Sequence, residues 1–170
     1  MRTKSVIVED YQTDWPDRFC EIEREVAIAL TDAMVRIEHV GSTSVPGLAA
    51  KPIIDLDMVI GDEASLETVV ERLEAAGYIH EGDLGICGRE AFRYHGKPHL
   101  MKHHLYVCRE SSRELHRHIT FRNFLRSHPE AVAEYSRIKK EAAARYPDSI
   151  EKYMAFKAAC IERFYRQCGL

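Results

Sequence analysis

The residues best suited to chemistry in this chain are Asp55 and Asp57, one position apart in the run PIIDLDMVI. A strand alternates its side chains between two faces, so the two aspartates share one face, and Ile54, Leu56, Met58 and Ile60 share the other. Two carboxylates about 6 Å apart at an effective dielectric of about 20 repel by about 3 kcal/mol. No lysine or arginine lies between Pro52 and Gly61 to offset that locally. A divalent cation would offset it. Hard cations such as Mg²⁺ prefer carboxylate oxygens, keep several waters and complete their shell with substrate phosphates. Two strand aspartates holding such an ion are therefore a phosphate-handling arrangement.

The preceding segment fits the same chemistry. Val35 to Val40 alternates as a strand and breaks at Gly41-Ser42. Glycine lets backbone approach a ligand closely, and exposed amides with the hydroxyls of Ser42, Thr43 and Ser44 can cradle anionic oxygens. Lys51 adds a positive charge just before the aspartate strand. A second constellation lies near the C-terminus, where Tyr135 and Lys139, and again Tyr153 and Lys157, stand four residues apart on predicted helices, with Arg122 and Arg126 upstream. A repeated Tyr-x-x-x-Lys pair can grip a triphosphate through hydroxyl donors and compact ammonium charges. The competing reading is that the lysines and arginines form solvated helix faces and the tyrosines pack.

The strings HVGSTSVPGLAAKPIIDLDMVI, KHHLYVC and FRNFLRSHPEAVAEYSRIKKEAA, followed by Tyr153 and Lys157, resemble the GrpB family over nearly the whole chain. The Gly-Ser pair followed by Asp-hydrophobic-Asp also resembles the signature of the polymerase-β-type nucleotidyltransferase superfamily. The resemblance implies an α+β fold: a nucleotidyltransferase-like mixed β-sheet with flanking helices and a helical C-terminal extension. It implies metal-dependent transfer of a nucleotidyl group from a nucleoside triphosphate to an unknown hydroxyl acceptor. One departure matters. Superfamily members usually carry a third carboxylate on a later strand, and the corresponding segment, Met101 to Cys108, has none; His104 stands at that position. Histidine is a softer ligand, so the ion expected at Asp55, Asp57 and His104 is Mg²⁺ or Mn²⁺, or Zn²⁺ if His104 binds it. Neutral His104 can alternatively serve as general base. GrpB-like domains also occur fused to dephospho-CoA kinases, which implies the alternative of a catalytically weak or inactive module binding a nucleotide or CoA-related ligand. A third reading leaves the aspartates as buried partners of lysine or arginine.

Composition excludes several classes. A formal net charge of -3 and a pI near 6.3 argue against a general nucleic-acid binder, which displays a basic surface. Five scattered cysteines with no CxxC pair read as reduced thiols of a cytoplasmic protein. The N-terminal residues lack the apolar stretch of a signal peptide, and no apolar run suits a membrane span.

The elements that must position these residues alternate along residues 1–110, an α/β core, and turn helical over 111–170, within one expected domain. Ser5 to Val8 reads as a short strand or edge segment. A helix opens at Asp14 and Pro16 with the stripe Phe19, Ile22, Val26 and Leu30, and a second spans about Glu63 to Ala76, ended by Gly77. Glu90 to Tyr94 and His99 to Cys108 read as a hairpin. Three helices follow over Ser112 to Arg126, Pro129 to Tyr146 and Ser149 to Cys168. Adjacent strand residues point to opposite faces, so His103 cannot join His104 at the aspartates, and His95 and His99 are weaker candidates. His116, His118 and His128 read as surface helix residues. Arg89, Arg93 and Lys102 flank the hairpin, and Arg93 is the preferred substrate contact among them.

Overall fold

The computed structural model describes residues 5–29 and 34–170. Leu30, the last member of the first helix's apolar stripe, lies outside the described residues. Helix α1 (Trp15–Ala29) leads to strand β1 (Met34–Val40), a short 3₁₀ turn at Ser42–Ser44, and strand β2 (Ile54–Ile60). Helix α2 (Leu66–Ala75), strands β3 (Tyr78–Gly82), β4 (Arg89–Tyr94) and β5 (His103–Arg109), and helices α3 (Arg113–Ser127), α4 (Pro129–Arg145) and α5 (Ile150–Gln167) complete the chain.

The strands form one mixed sheet in the order β1-β2-β5-β4-β3. Only β2 and β5 run parallel, with Asp55 beside His104 and Asp57 beside Tyr106; β1–β2, β5–β4 and β4–β3 are antiparallel. The alternation expected for β2 sets the two faces. Ile54, Leu56, Met58 and Ile60 join Leu105, Val107 and Phe92 under α1 and α2, in a core with Trp15, Ile22, Val26, Val69 and Leu73. On the other face Val59 and Cys108 pack with Leu115 of α3. The C-terminal helices build a further core of Leu125, Ala131, Tyr135 and Phe164 against Val45 and Leu48 of the loop before β2. That loop is therefore clamped between sheet and helices.

Local chemistry sets the helix ends. Ser65, Ser112 and Ser149 each accept a backbone N–H from three residues on, satisfying donors that helix starts leave open. Pro129 opens α4 where its missing N–H costs nothing. Three expectations need correction. Ser5 to Val8 forms no strand among the described residues; Val6 donates to Pro147 O, and the isolated bridge of Glu9 with Ala50 follows it, with Ala50 donating to Glu9 O. The sheet also gains β3, a five-residue edge strand whose sequence YIHEG carries no clear alternation. The second hairpin strand starts at His103 rather than His99.

Candidate functional site

Asp55 and Asp57 lie on the sheet face toward α3 and α5, and each meets a histidine. His104 Nδ1 is 2.8 Å from Asp55 Oδ1, and His118 Nδ1 is 2.7 Å from Asp57 Oδ2. A carboxylate offers no proton, so both imidazoles donate through Nδ1. The environments differ. Asp55 is partly open, with 30% of its side chain exposed, whereas Asp57 is fully enclosed and its Oδ1 has no hydrogen-bond partner among the described residues. Burial raises the Asp57 pKa, against the pull of His118. Burial is the largest single influence on His118 and opposes its charge, but the hydrogen bond to Asp57 together with the negative charges of Asp57 and Glu114 outweighs it and raises the imidazole's pKa. The pair thus retains a shared proton more strongly than two free side chains would.

The Gly41-Ser42 loop closes onto Asp55. Gly41 has φ 69° and ψ -171°, and a Cβ there would lie 2.9 Å from both Asp55 Cβ and Cγ. The loop hydroxyls mostly hold the loop itself. Ser44 Oγ donates to Gly41 O at 2.6 Å. Thr43 Oγ1 donates to Ile53 O and accepts from His39 Nε2 at 3.0 Å. Ser42 is the hydroxyl that lines the cleft.

The expected lysines and tyrosines divide by position. Lys139, 2% exposed, is enclosed and donates to Ser42 Oγ and to Ala49 O at 3.0 Å, with its ammonium over the Tyr135 ring. Burial and then the charge of Lys157 push its pKa well down. Lys139 therefore anchors the loop from behind. Lys157 lines the cleft; its ammonium lies 4.8 Å from the Tyr153 ring centroid and has no hydrogen-bond or ion-pair partner among the described residues. Burial, followed by repulsion from Lys51, lowers its pKa to about 8. Lys51 is also depressed by burial, and both lysines feel the charge of Asp55. Tyr135 borders the cleft, whereas Tyr153 packs with Val6 and Ala142.

The cleft has a volume of about 310 Å³ and runs between the Asp55 face of the sheet and helices α3 and α5. Three of its features correct the sequence reading. His118, expected on the surface, is the partner of Asp57. Arg93, the preferred arginine, points to the exposed end of the sheet and pairs with Glu81 at 3.5 Å, 47% exposed; Arg89 borders the cleft instead, over the Tyr106 ring. Arg122 and Arg126 hold structure: Arg122 Nη1 donates to Glu38 at 2.7 Å and His39 O at 2.9 Å, and Arg126 donates twice to Ser44 O. His118, Arg122 and Arg126 are spaced i, i+4, i+8, one stripe of α3 facing the site. That spacing puts His118 on the same stripe as the two arginines but does not by itself say which face of the helix is turned inward. His103 faces the opposite side, accepting from Tyr78 OH at 3.0 Å. Among the described residues no three His, Cys, Asp or Glu side chains converge as a ready metal site, and no helix is long and apolar enough to cross a membrane.

Comparison with known proteins matches this arrangement to an existing group. The chain is 35% identical to UPF0157 protein YqkA of Bacillus subtilis over 147 residues, covering 86% of this chain and 42% of that protein. It is 27% identical to a dephospho-CoA kinase of Mycolicibacterium paratuberculosis, covering 91% of this chain and 44% of the kinase. It thus spans less than half the length of both. A crystal structure of conserved protein GrpB from Enterococcus faecalis superposes with a TM-score of 0.83 at 36% identity, covering 95% of this chain and 96% of that one. The GrpB protein family model matches residues 5–167, and the chain belongs to the GrpB family.

Proposed function

We propose that this protein is a nucleotidyltransferase acting on a nucleoside triphosphate, with Asp55 and Asp57 at its centre. The observation that carries the reading is the opposition of two unlike charge groups in one cleft. An open aspartate beside a buried one faces Lys157, an ammonium with no hydrogen-bond or ion-pair partner among the described residues, next to the glycine loop. A buried cation without a partner costs stability, and a polyphosphate would supply the missing charge.

Mg²⁺ or Mn²⁺ fits the aspartates: they share a face, and Asp57 Oδ1 lacks a partner. Asp55 and Asp57 would hold the ion, which when bound supplies charge neutralisation at the phosphates. Among the described residues no third ligand converges on the pair, which suits an ion that keeps waters and phosphate oxygens better than a closed zinc shell. Lys157 and Lys51 receive the phosphate tail, and Gly41 gives it backbone access beside Ser42. His104 donates Nδ1–H to Asp55, which leaves the Nε2 lone pair to take the proton of the acceptor hydroxyl. The acceptor oxygen then bonds the α-phosphorus as the bond to the bridging oxygen breaks, and pyrophosphate leaves with its electron pair.

A second reading, a nucleotide or CoA-related binding module, draws on the similarity to a dephospho-CoA kinase. One experiment separates them. Purified protein with Mg²⁺ or Mn²⁺ is incubated with each nucleoside triphosphate and a panel of hydroxyl acceptors, and pyrophosphate is measured. The expected result is release that Asp55→Asn abolishes. Nucleotide binding without release points to the module, and no binding to any nucleotide sinks both readings.

A further inference from the structure

The sheet order sets Gly41-Ser42, at the end of β1, on one flank of β2, and Arg89, the first residue of β4, on the other flank with β5 between. At ordinary strand spacing, Arg89 starts about 10 Å from the aspartate strand. Its side chain reaches back over Tyr106, with the guanidinium carbon 4.2 Å from the ring centroid, and borders the cleft beside His118. Its Nε is buried and has no hydrogen-bond partner among the described residues. Asp57 Oδ1 is equally unsatisfied, so these neighbouring opposite charges do not satisfy each other.

Arg122, which also lines the cleft, and its α3 neighbours Arg117 and Arg126 are engaged. Arg117 donates to Glu114 and Tyr165 OH, Arg122 to Glu38 and His39 O, and Arg126 to Ser44 O. An arginine held flat by an aromatic ring keeps its planar donor fork oriented, which matches a carboxylate or phosphate bidentately. A buried donor without an acceptor costs stability, so an unengaged fork at a cleft wall points to a ligand that completes it.

We propose that Arg89 binds an oxyanion group carried by the second substrate, so that the acceptor is a hydroxyl compound bearing a carboxylate or phosphate. This rests on the nucleotidyl-transfer reading, which puts the triphosphate at the Lys157 and Gly41-Ser42 side and leaves the Arg89 side to the acceptor. The two cationic ends then take two anionic substrates, with Asp55 and Asp57 between them.

Calorimetric titration of the full chain with orthophosphate, in the presence of Mg²⁺, tests it. Wild-type protein is expected to show two sites. Arg89→Ala should lose one, with affinity falling at least about tenfold, while keeping its ATP affinity; Lys157→Met should lose the other. Arg89→Lys, which retains charge without the fork, should bind orthophosphate at the acceptor side about tenfold more weakly, and it replaces the alanine variant if circular dichroism shows that variant unfolded. Malonate that competes at the Arg89 site identifies a carboxylate acceptor, and absence of competition identifies a phosphate. An Arg89→Ala titration indistinguishable from wild type overturns the proposal. Loss of ATP binding in the wild type with the Arg89 site intact would overturn the nucleotidyl-transfer reading alone.

Discussion

At Gly41 the backbone does what no other residue allows. Its φ of 69° with ψ of -171° falls in a region essentially closed to residues with a Cβ, and the space a Cβ needs is already filled by Asp55. The close approach matters because it seats the Gly41 backbone directly against the side chain of Asp55, the carboxylate that, in our reading, holds the metal. Gly41→Ala is therefore expected to cost about 1–3 kcal/mol of stability and, by pushing Asp55 away from His104 Nδ1, to weaken ATP affinity. Urea unfolding gives the first quantity and ATP titration the second. An alanine variant with wild-type stability and affinity would mean that the approach is incidental. Asp55, Asp57 and this glycine were legible in the sequence because strand alternation fixes which residues share a face, and a Gly-Ser break ending a strand marks the loop. Arg89 was not legible: alternation places Arg89 and Arg93 on one face, and only tertiary packing decides which of them reaches the cleft and which meets Glu81.

The helices carry the next level of design. α3 presents His118, Arg122 and Arg126 as one stripe that fixes Asp57, the end of β1 and the loop, α4 anchors the loop through Lys139, and α5 delivers Lys157. The serine caps emerge only from the structure, whereas the approximate helix spans followed from the sequence, since apolar periodicity and proline chemistry are local. The inward stripe of α3 did not, because this helix is polar on nearly every side and its periodicity does not say which face is covered. Lys157 gives the element-scale prediction. Its ammonium is desolvated and repelled by Lys51, with a pKa lowered from 10.5 to about 8, so folding with it charged is opposed by up to about 3 kcal/mol. Lys157→Met is expected to raise the melting temperature at pH 7 while ATP affinity drops at least about tenfold. In the wild type, ATP affinity should weaken as pH rises through about 8, because the neutral amine offers no charge to the phosphates. A methionine variant that is destabilised and still binds ATP would make Lys157 a packing residue.

Across the whole molecule, the sheet separates the face that carries the cleft from the face packed under α1 and α2, and pH distinguishes the two. On the α1/α2 face His103 is 3% exposed, donates through Nδ1 to Met101 O at 2.8 Å and accepts from Tyr78 OH. Burial lowers its pKa to about 4. His39, beside the loop, is lowered by burial to about 4 as well. A histidine whose folded pKa lies below its unfolded value of about 6.5 binds fewer protons when folded, so its contribution to stability is complete above that pH and is lost as pH falls toward 4. For His103 alone, a shift of this size removes about 2 kcal/mol between pH 7 and pH 5. His118 works in the opposite direction: its raised pKa stabilises the fold below about pH 6.5, and that contribution fades as pH rises. Urea unfolding at pH 7 and pH 5 should therefore show a loss of stability on acidification that His103→Gln reduces by about 2 kcal/mol, whatever the variant's stability at neutral pH. Because His103 lies on the face away from the cleft, the same variant should bind ATP like the wild type. A His103→Gln protein with undiminished acid sensitivity would show that His103 is solvated in solution, and one with impaired ATP binding would show that the two faces of the sheet are coupled.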